Sequence, residues 1–252
     1  MSTILPNRVP PRLAALCAAM LATGVAEAAE TPLPIVASSC PAIPASRSVS
    51  VTTTQPLVAG QSIVLAVGVD SADAPDLQVS GPTGVSWSTL GGHKSEAADR
   101  SVLLLRGTAN QSVASGASID LGFSQVEAAR AVCVRGMRYG SFISGGGAIN
   151  TDGQAQGLAA VAPVVSGKQA VPGSMAIAAF LFSALPNALT LSGTAVSDGG
   201  ACNAALDLCL RVAHQGDVVG AASIGMTPAS ASDWQATLAV LSTPRLFADS
   251  FE

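Results

Sequence analysis

Residues 48–69 read SVSVTTTQPLVAGQSIVLAVGV, and this stretch decides the fold. Its first seven residues alternate β-branched with small polar side chains, which is the period of a half-buried strand. A Pro- and Gly-bearing turn follows. The run SIVLAVGV (62–69) is then too short for a helix and apolar enough for a strand buried on both faces.

The same grammar continues outward in both directions. VSWSTL (85–90) follows the turn SGPTG, and SVLLLRGTA (101–109), SIDLGFS (118–124) and RAVCVRGM (130–137) come next. After a Gly-rich stretch, the strand pattern resumes with LAAVAPVV (158–165), SMAIAAFLF (174–182), ALTLSGTAV (188–196), LDLCLRVA (206–213), AASIGMT (221–227) and WQATLAVL (234–241). Each run ends at Gly, Pro, Asp, Asn or Ser, and no amphipathic helix intervenes. This spacing predicts an all-β, two-sheet antiparallel sandwich, jelly-roll-like, of about ten to twelve strands.

The two halves look alike. LLLR at 103–106 is matched by LCLR at 208–211, and the elements around each follow in the same order. An internal pseudo-repeat with halves at 48–138 and 158–243 is therefore expected, whether from duplication or from shared hairpin grammar. The Gly-rich residues 139–157 read as the connection. Within 206–213, Leu206, Leu208, Leu210 and Val212 fall on one face, with Asp207, Cys209 and Arg211 on a face expected to be wet.

The first residues speak of destination. Arg8 and Arg12 precede an apolar run at 13–25, and Ala26-Glu27-Ala28 supplies the small residues of a cleavage site. A run of that length spans about 20 Å of a hydrocarbon layer roughly 30 Å thick. Residues 1–28 therefore read as a secretory signal peptide, and the expected destination is outside the cell or at its surface, the periplasm included. The proline-rich residues 29–47 read as an extended lead-in outside the core, because proline removes ladder donors.

Beyond the leader lie four cysteines, Cys40, Cys133, Cys202 and Cys209. An even count in an oxidising compartment implies two disulfides with three conceivable pairings. Closeness in sequence favours Cys202–Cys209, which leaves Cys40–Cys133.

Composition narrows the function classes. The chain is 252 residues long, 49% hydrophobic and only 11% charged, with a net charge of −4. Lys94 and Lys168 are its only lysines, so nucleic acid is not an expected partner. Pro172 and Pro186 bracket the apolar run MAIAAFLFSAL (175–185), and no membrane span is expected in the mature chain.

Catalytic constellations are sparse. The histidines are His93, in the turn GGHKSE, and His214, at the end of a strand; both read as solvated. Ser144, His214 and Asp217 are the one conceivable nucleophilic grouping, but GSFISGGG spells no nucleophile elbow. Four glutamates beyond the leader and few aromatics offer little for glycoside cleavage. Asp70, Asp73 and Asp76 share one loop and are the candidate calcium ligands, although the spacing lacks the D-x-D-x-D-G turn. Arg130, Arg135 and Arg138 form the one basic cluster, read as a surface face.

Four pieces, VAGQSIVLAVGV (58–69), GPTGVSWSTLGG (81–92), RAVCVRGM (130–137) and SASDWQATLAVL (230–241), together resemble a β-sandwich module of exported bacterial proteins and some phage structural proteins. The resemblance spans roughly residues 48–244. Gln61 stands where the module usually has Asp, and Val85 and Ser86 separate Gly84 from Trp87. The resemblance implies architecture and export and brings no catalytic residue with it. RLFADSFE (245–252) is similar to FADGFE-like endings of exported Gram-negative proteins, with Ser250 in place of Gly, and reads as a flexible or sorting tail. The expected role is structural, adhesive or ligand-binding, toward a surface polysaccharide or protein and without a catalytic site or bound cofactor. The alternative is a secreted hydrolase or a calcium-dependent, lectin-like carbohydrate binder.

Overall fold

A computed structural model describes residues 32–96, 98–139, 149–160, 164–186 and 188–241. The leader, Ser144 and the tail at 245–252 lie outside these residues. The described chain is all β and antiparallel, as the sequence predicts, with fourteen strands in three sheets.

The first half supplies β1 (Leu33–Ser39), β2 (Ser48–Thr52), β3 (Ser62–Val69), β4 (Leu77–Ser80), β5 (Val85–Ser95), β6 (Arg100–Ala109), β7 (Ser118–Phe123) and β8 (Val132–Tyr139). They form a five-stranded sheet in the order β1-β8-β3-β6-β5 and a three-stranded sheet in the order β2-β7-β4. Strand β3 explains the stack. Ile63, Leu65, Val67 and Val69 face the three-stranded sheet, where they meet Val49, Val51, Ile119, Leu121 and Phe123. Val64 and Ala66 face the other way, toward the second half. Both faces are dry, which is why 62–69 is apolar without alternation.

The second half supplies β9 (Ile149–Ala160), β10 (Val164–Phe182), β11 (Leu189–Leu191), β12 (Val196–Asn203), β13 (Leu208–Pro228) and β14 (Ser232–Leu241). Their pairing order β9-β14-β10-β13-β12 repeats β1-β8-β3-β6-β5 element for element. Bulges interrupt β10 between Ser166 and Ala176, and beyond them the far ends of β10 and β13 pair with each other, while β11 pairs with the other side of β13. That arrangement repeats β2-β7-β4. Val165, Ala170, Ala222, Ile224 and Met226 from these far ends share one buried cluster with Phe180, Phe182, Trp234 and Leu238.

Equivalent faces of the two five-stranded sheets meet. Ile177, Ala179 and Leu181 of β10 and Leu208, Leu210 and Val212 of β13 pack against Val64, Ala66, Val102, Leu104 and Met137. Gly68 makes room at this contact, since a Cβ there would collide with the Leu181 side chain. The edges meet as well: β5 lies along β9 and β14, while β12 lies along β8 and β1. Each five-stranded sheet thus shields the edges of the other.

Several expectations are corrected. The lead-in at 29–47 contains β1, and Ile35, Val36 and Ile43 belong to the core. Pro34 is accommodated because β1 is an edge strand with an irregular register. The connection expected at 139–157 includes most of β9, whose backbone pairs with β14 from Ile149 to Ala160. The strand expected at 158–165 is instead the end of β9 and the start of β10, and those at 206–213 and 221–227 are one strand, β13. The strand expected at 188–196 divides between β11 and the first residue of β12.

The LLLR/LCLR match also falls in a different register. Bulges between Thr89 and Gly91 of β5 and between Ser197 and Gly199 of β12 are flanked by Leu105 and Leu104 in one half and by Ala213 and Val212 in the other. Arg106 is thereby the counterpart of His214. Cys209 is not on a wet face: it is buried beside Phe180, Phe182 and Trp234. The second half is itself a covered sandwich, so from Leu208 to His214 β13 is covered on both faces, apart from the half-buried Arg211.

Candidate functional site

The bulge in β12 is the local feature that builds the site. Gly199 adopts φ +84°, a left-handed conformation that glycine accepts without strain, and Asp198 at the bulge has no paired residue on β13. The carboxylate points into the seam against β8. There the Tyr139 hydroxyl donates to Oδ2 at 3.1 Å, and Nδ1 of His214 lies 2.8 Å from Oδ1. Arg135 Nε donates to the Asp198 carbonyl at 2.9 Å, and its Nη1 donates to Ser38 Oγ at 2.9 Å.

The three titratable side chains are almost wholly enclosed: Tyr139 is 0%, Asp198 6% and His214 9% exposed. Burial pushes the Tyr139 phenol well above its ordinary range. The Asp198 charge and the hydrogen bond to it act in the same direction, and Arg135 opposes them. An ionised Asp198 only accepts hydrogen bonds, so His214 carries its proton on Nδ1. The Tyr139 and His214 rings meet edge to face, with centroids 6.4 Å apart.

A carboxylate that orients an imidazole is half of a nucleophilic apparatus. The other half is missing among the described residues, where no Ser, Thr or Cys side chain is hydrogen-bonded to His214. Tyr139 comes from the first half and Asp198 and His214 from the second, so the carboxylate is a bridge across the seam.

The residues singled out in the sequence fall elsewhere or in other company. His214 is buried rather than solvated, and its carboxylate is Asp198, while Asp217 is exposed. His93 lies inside β5, opposite Val102, rather than in a turn. Asp70 is held by Arg100 at 3.3 Å and Arg130 at 3.9 Å, and Arg130 also reaches Asp99 at 2.9 Å. Asp73 caps a short 3-10 turn, Ala74–Asp76, whose last residue is Asp76. Among the described residues, no three His, Cys, Asp or Glu side chains are grouped as a metal site requires. The arginine cluster is divided, with Arg130 in the Asp70 network and Arg135 at the seam.

Both disulfides form in the favoured pairing, Cys40–Cys133 and Cys202–Cys209. The first closes the end of β1 onto β8, and the second joins β12 to β13. Among the described residues, no helix is long and apolar enough to cross a membrane.

Sequence reasoning missed Asp198 and Tyr139. Tyr139 is the only tyrosine of the chain and Asp198 sits in SDGG, a bulge-prone spelling, but nothing in either segment announces that they meet. No family model, curated protein or solved structure matches the chain.

Proposed function

We propose that this is an exported, non-catalytic β-protein with a structural, adhesive or ligand-binding role at or outside the cell surface. One observation carries the reading. The one acid–base grouping found at the seam is closed on itself, with both oxygens of Asp198 occupied and the imidazole held inside the fold. Side chains so enclosed contribute cohesion and are poorly placed to meet a substrate.

Supporting features are consistent with export. Two disulfides staple the two halves separately, as suits an oxidising compartment. The leader-like residues 1–28 and the likeness to exported sandwich modules point the same way. The outward face of β2 and β7 carries Ser48, Ser50, Thr52, Ser118 and Asp120, a low-charge, hydroxyl-rich surface suited to a polysaccharide or protein partner.

Two measurements test the proposal together. Mass spectrometry of material recovered outside the cell is expected to show cleavage after Ala28 and two intact disulfides. A pull-down on surface polysaccharides, run with and without calcium, separates the partner classes. Calcium-dependent retention abolished by Asp73→Ala would establish the lectin-like alternative. Unprocessed protein retained in the cytoplasm would overturn export.

A further inference from the structure

The loop that leaves β6 spells Asn110-Gln111-Ser112, the only Asn-x-Ser/Thr triplet of the chain. Asn7, Asn150, Asn187 and Asn203 are followed two positions on by Val9, Asp152, Leu189 and Ala205. This triplet is the acceptor pattern of asparagine-linked glycosylation, and it has a use only on a surface loop of an exported chain.

The structure supplies such a loop. Asn110, Gln111 and Ser112 are all exposed, between the buried Ala109, last residue of β6, and the buried Val113. Backbone bonds fix both flanks. The Ala109 N–H donates to the Gln61 carbonyl at 3.0 Å, and Val113 and Leu57 exchange two hydrogen bonds of 2.9 Å. The triplet therefore stands on a rigid base with none of its side chains in the core.

Its contacts are compatible with a substituted amide. The Asn110 N–H donates to the Gly84 carbonyl at 2.7 Å, and Nδ2 donates to Oγ of the exposed Ser86 at 2.7 Å. A glycosylated amide keeps one N–H, enough for the bond to Ser86. Gln111 holds the middle position, where proline is excluded, and reaches the Thr83 carbonyl at 3.5 Å across the surface. Asn203, by contrast, is half-buried and commits its Nδ2 to the Cys40 carbonyl at 3.0 Å.

We infer that Asn110 is an acceptor site for asparagine-linked glycosylation by a transferase of the producing cell that uses a sugar carried as a diphosphate ester. The inference rests on the reading of the chain as exported. One bond forms, from Asn110 Nδ2 to the anomeric carbon of the sugar. One bond breaks, from that carbon to the diphosphate oxygen, which leaves with the electron pair. The amide nitrogen gives up one proton, and nothing is oxidised or reduced.

Peptide mass spectrometry of the full chain recovered outside the cells that naturally make it tests this. Trypsin releases Gly107–Arg130, which carries the triplet and no cysteine. Most of this peptide is expected to be heavier by whole sugar residues. The heavier form should be lost in Asn110→Gln and in Ser112→Ala but kept in Ser112→Thr, which retains the hydroxyl of the pattern. All three substitutions fall at exposed positions, so the variants should unfold thermally near the wild-type midpoint. A leader-free chain whose Gly107–Arg130 carries no sugar would overturn the site and leave export standing. Sugar that survives Asn110→Gln would also overturn it, since the attachment would then be to another side chain. A chain found only with residues 1–28 uncut and Asn110 bare would overturn both.

Discussion

The hydroxyl of Tyr139 and the Nδ1 of His214 bind different oxygens of one carboxylate, that of Asp198, although 75 positions separate the two residues. The carboxylate thus joins β8 of one half to β13 of the other. Its weight in stability can be measured, as can that of the sheet contact and of the disulfides.

Tyr139→Phe deletes a hydrogen bond to a charged acceptor in a buried site. At pH 7 the loss is expected to be about 1.5–3 kcal/mol in urea unfolding. The pH dependence has a definite sign. The folded phenol ionises above its ordinary value, so its contribution is complete below pH about 10 and is lost as pH rises beyond that. Because Tyr139 is the sole tyrosine, tyrosinate absorbance reports it directly, and ionisation is expected to coincide with unfolding. The phenylalanine variant should show a flatter alkaline limb.

Gly68→Ala places a methyl group where the Leu181 side chain packs between the two five-stranded sheets. Overpacking of this kind costs about 1–3 kcal/mol. In a Leu181→Ala background the added methyl enters vacated space, so the two costs should fall short of additive in a double-mutant cycle. Full additivity would show that the sheets do not interlock at this point.

The disulfides should differ in weight. Replacing Cys40 and Cys133 by Ser opens a loop with a sequence separation of 93. On the chain-entropy account this costs about 4–5 kcal/mol. Replacing Cys202 and Cys209, separated by 7 positions, costs about 2–3 kcal/mol. Thermal unfolding of the two double variants gives the order directly.

Legibility in the sequence followed burial. The run 62–69 announced β3 because both of its faces are covered, and 118–124 announced β7 because its alternation marks one wet face. Strand β9 was unreadable: INTDGQAQG has no apolar period, and its place is set by backbone pairing at a sheet edge. In LDLCLRVA the alternation was real but its meaning was not. Asp207 and Arg211 suggested a wet face, whereas the folded-over ends of β10 and β13 cover Cys209. The repeat was visible as element order, yet its register was not, because one strand match cannot show where bulges fall. Asp198 was hidden for the same reason, since a bulge turns a residue against the parity of its strand.

The most direct test of the central claim, that Asp198 and His214 serve cohesion rather than catalysis, compares wild type with His214→Gln. Each is assayed on an esterase and glycosidase panel and by urea unfolding. The expected result is no turnover above buffer for either protein and a variant less stable by about 1–3 kcal/mol. Turnover by the wild type that vanishes in a His214→Gln variant of unchanged fold would contradict it.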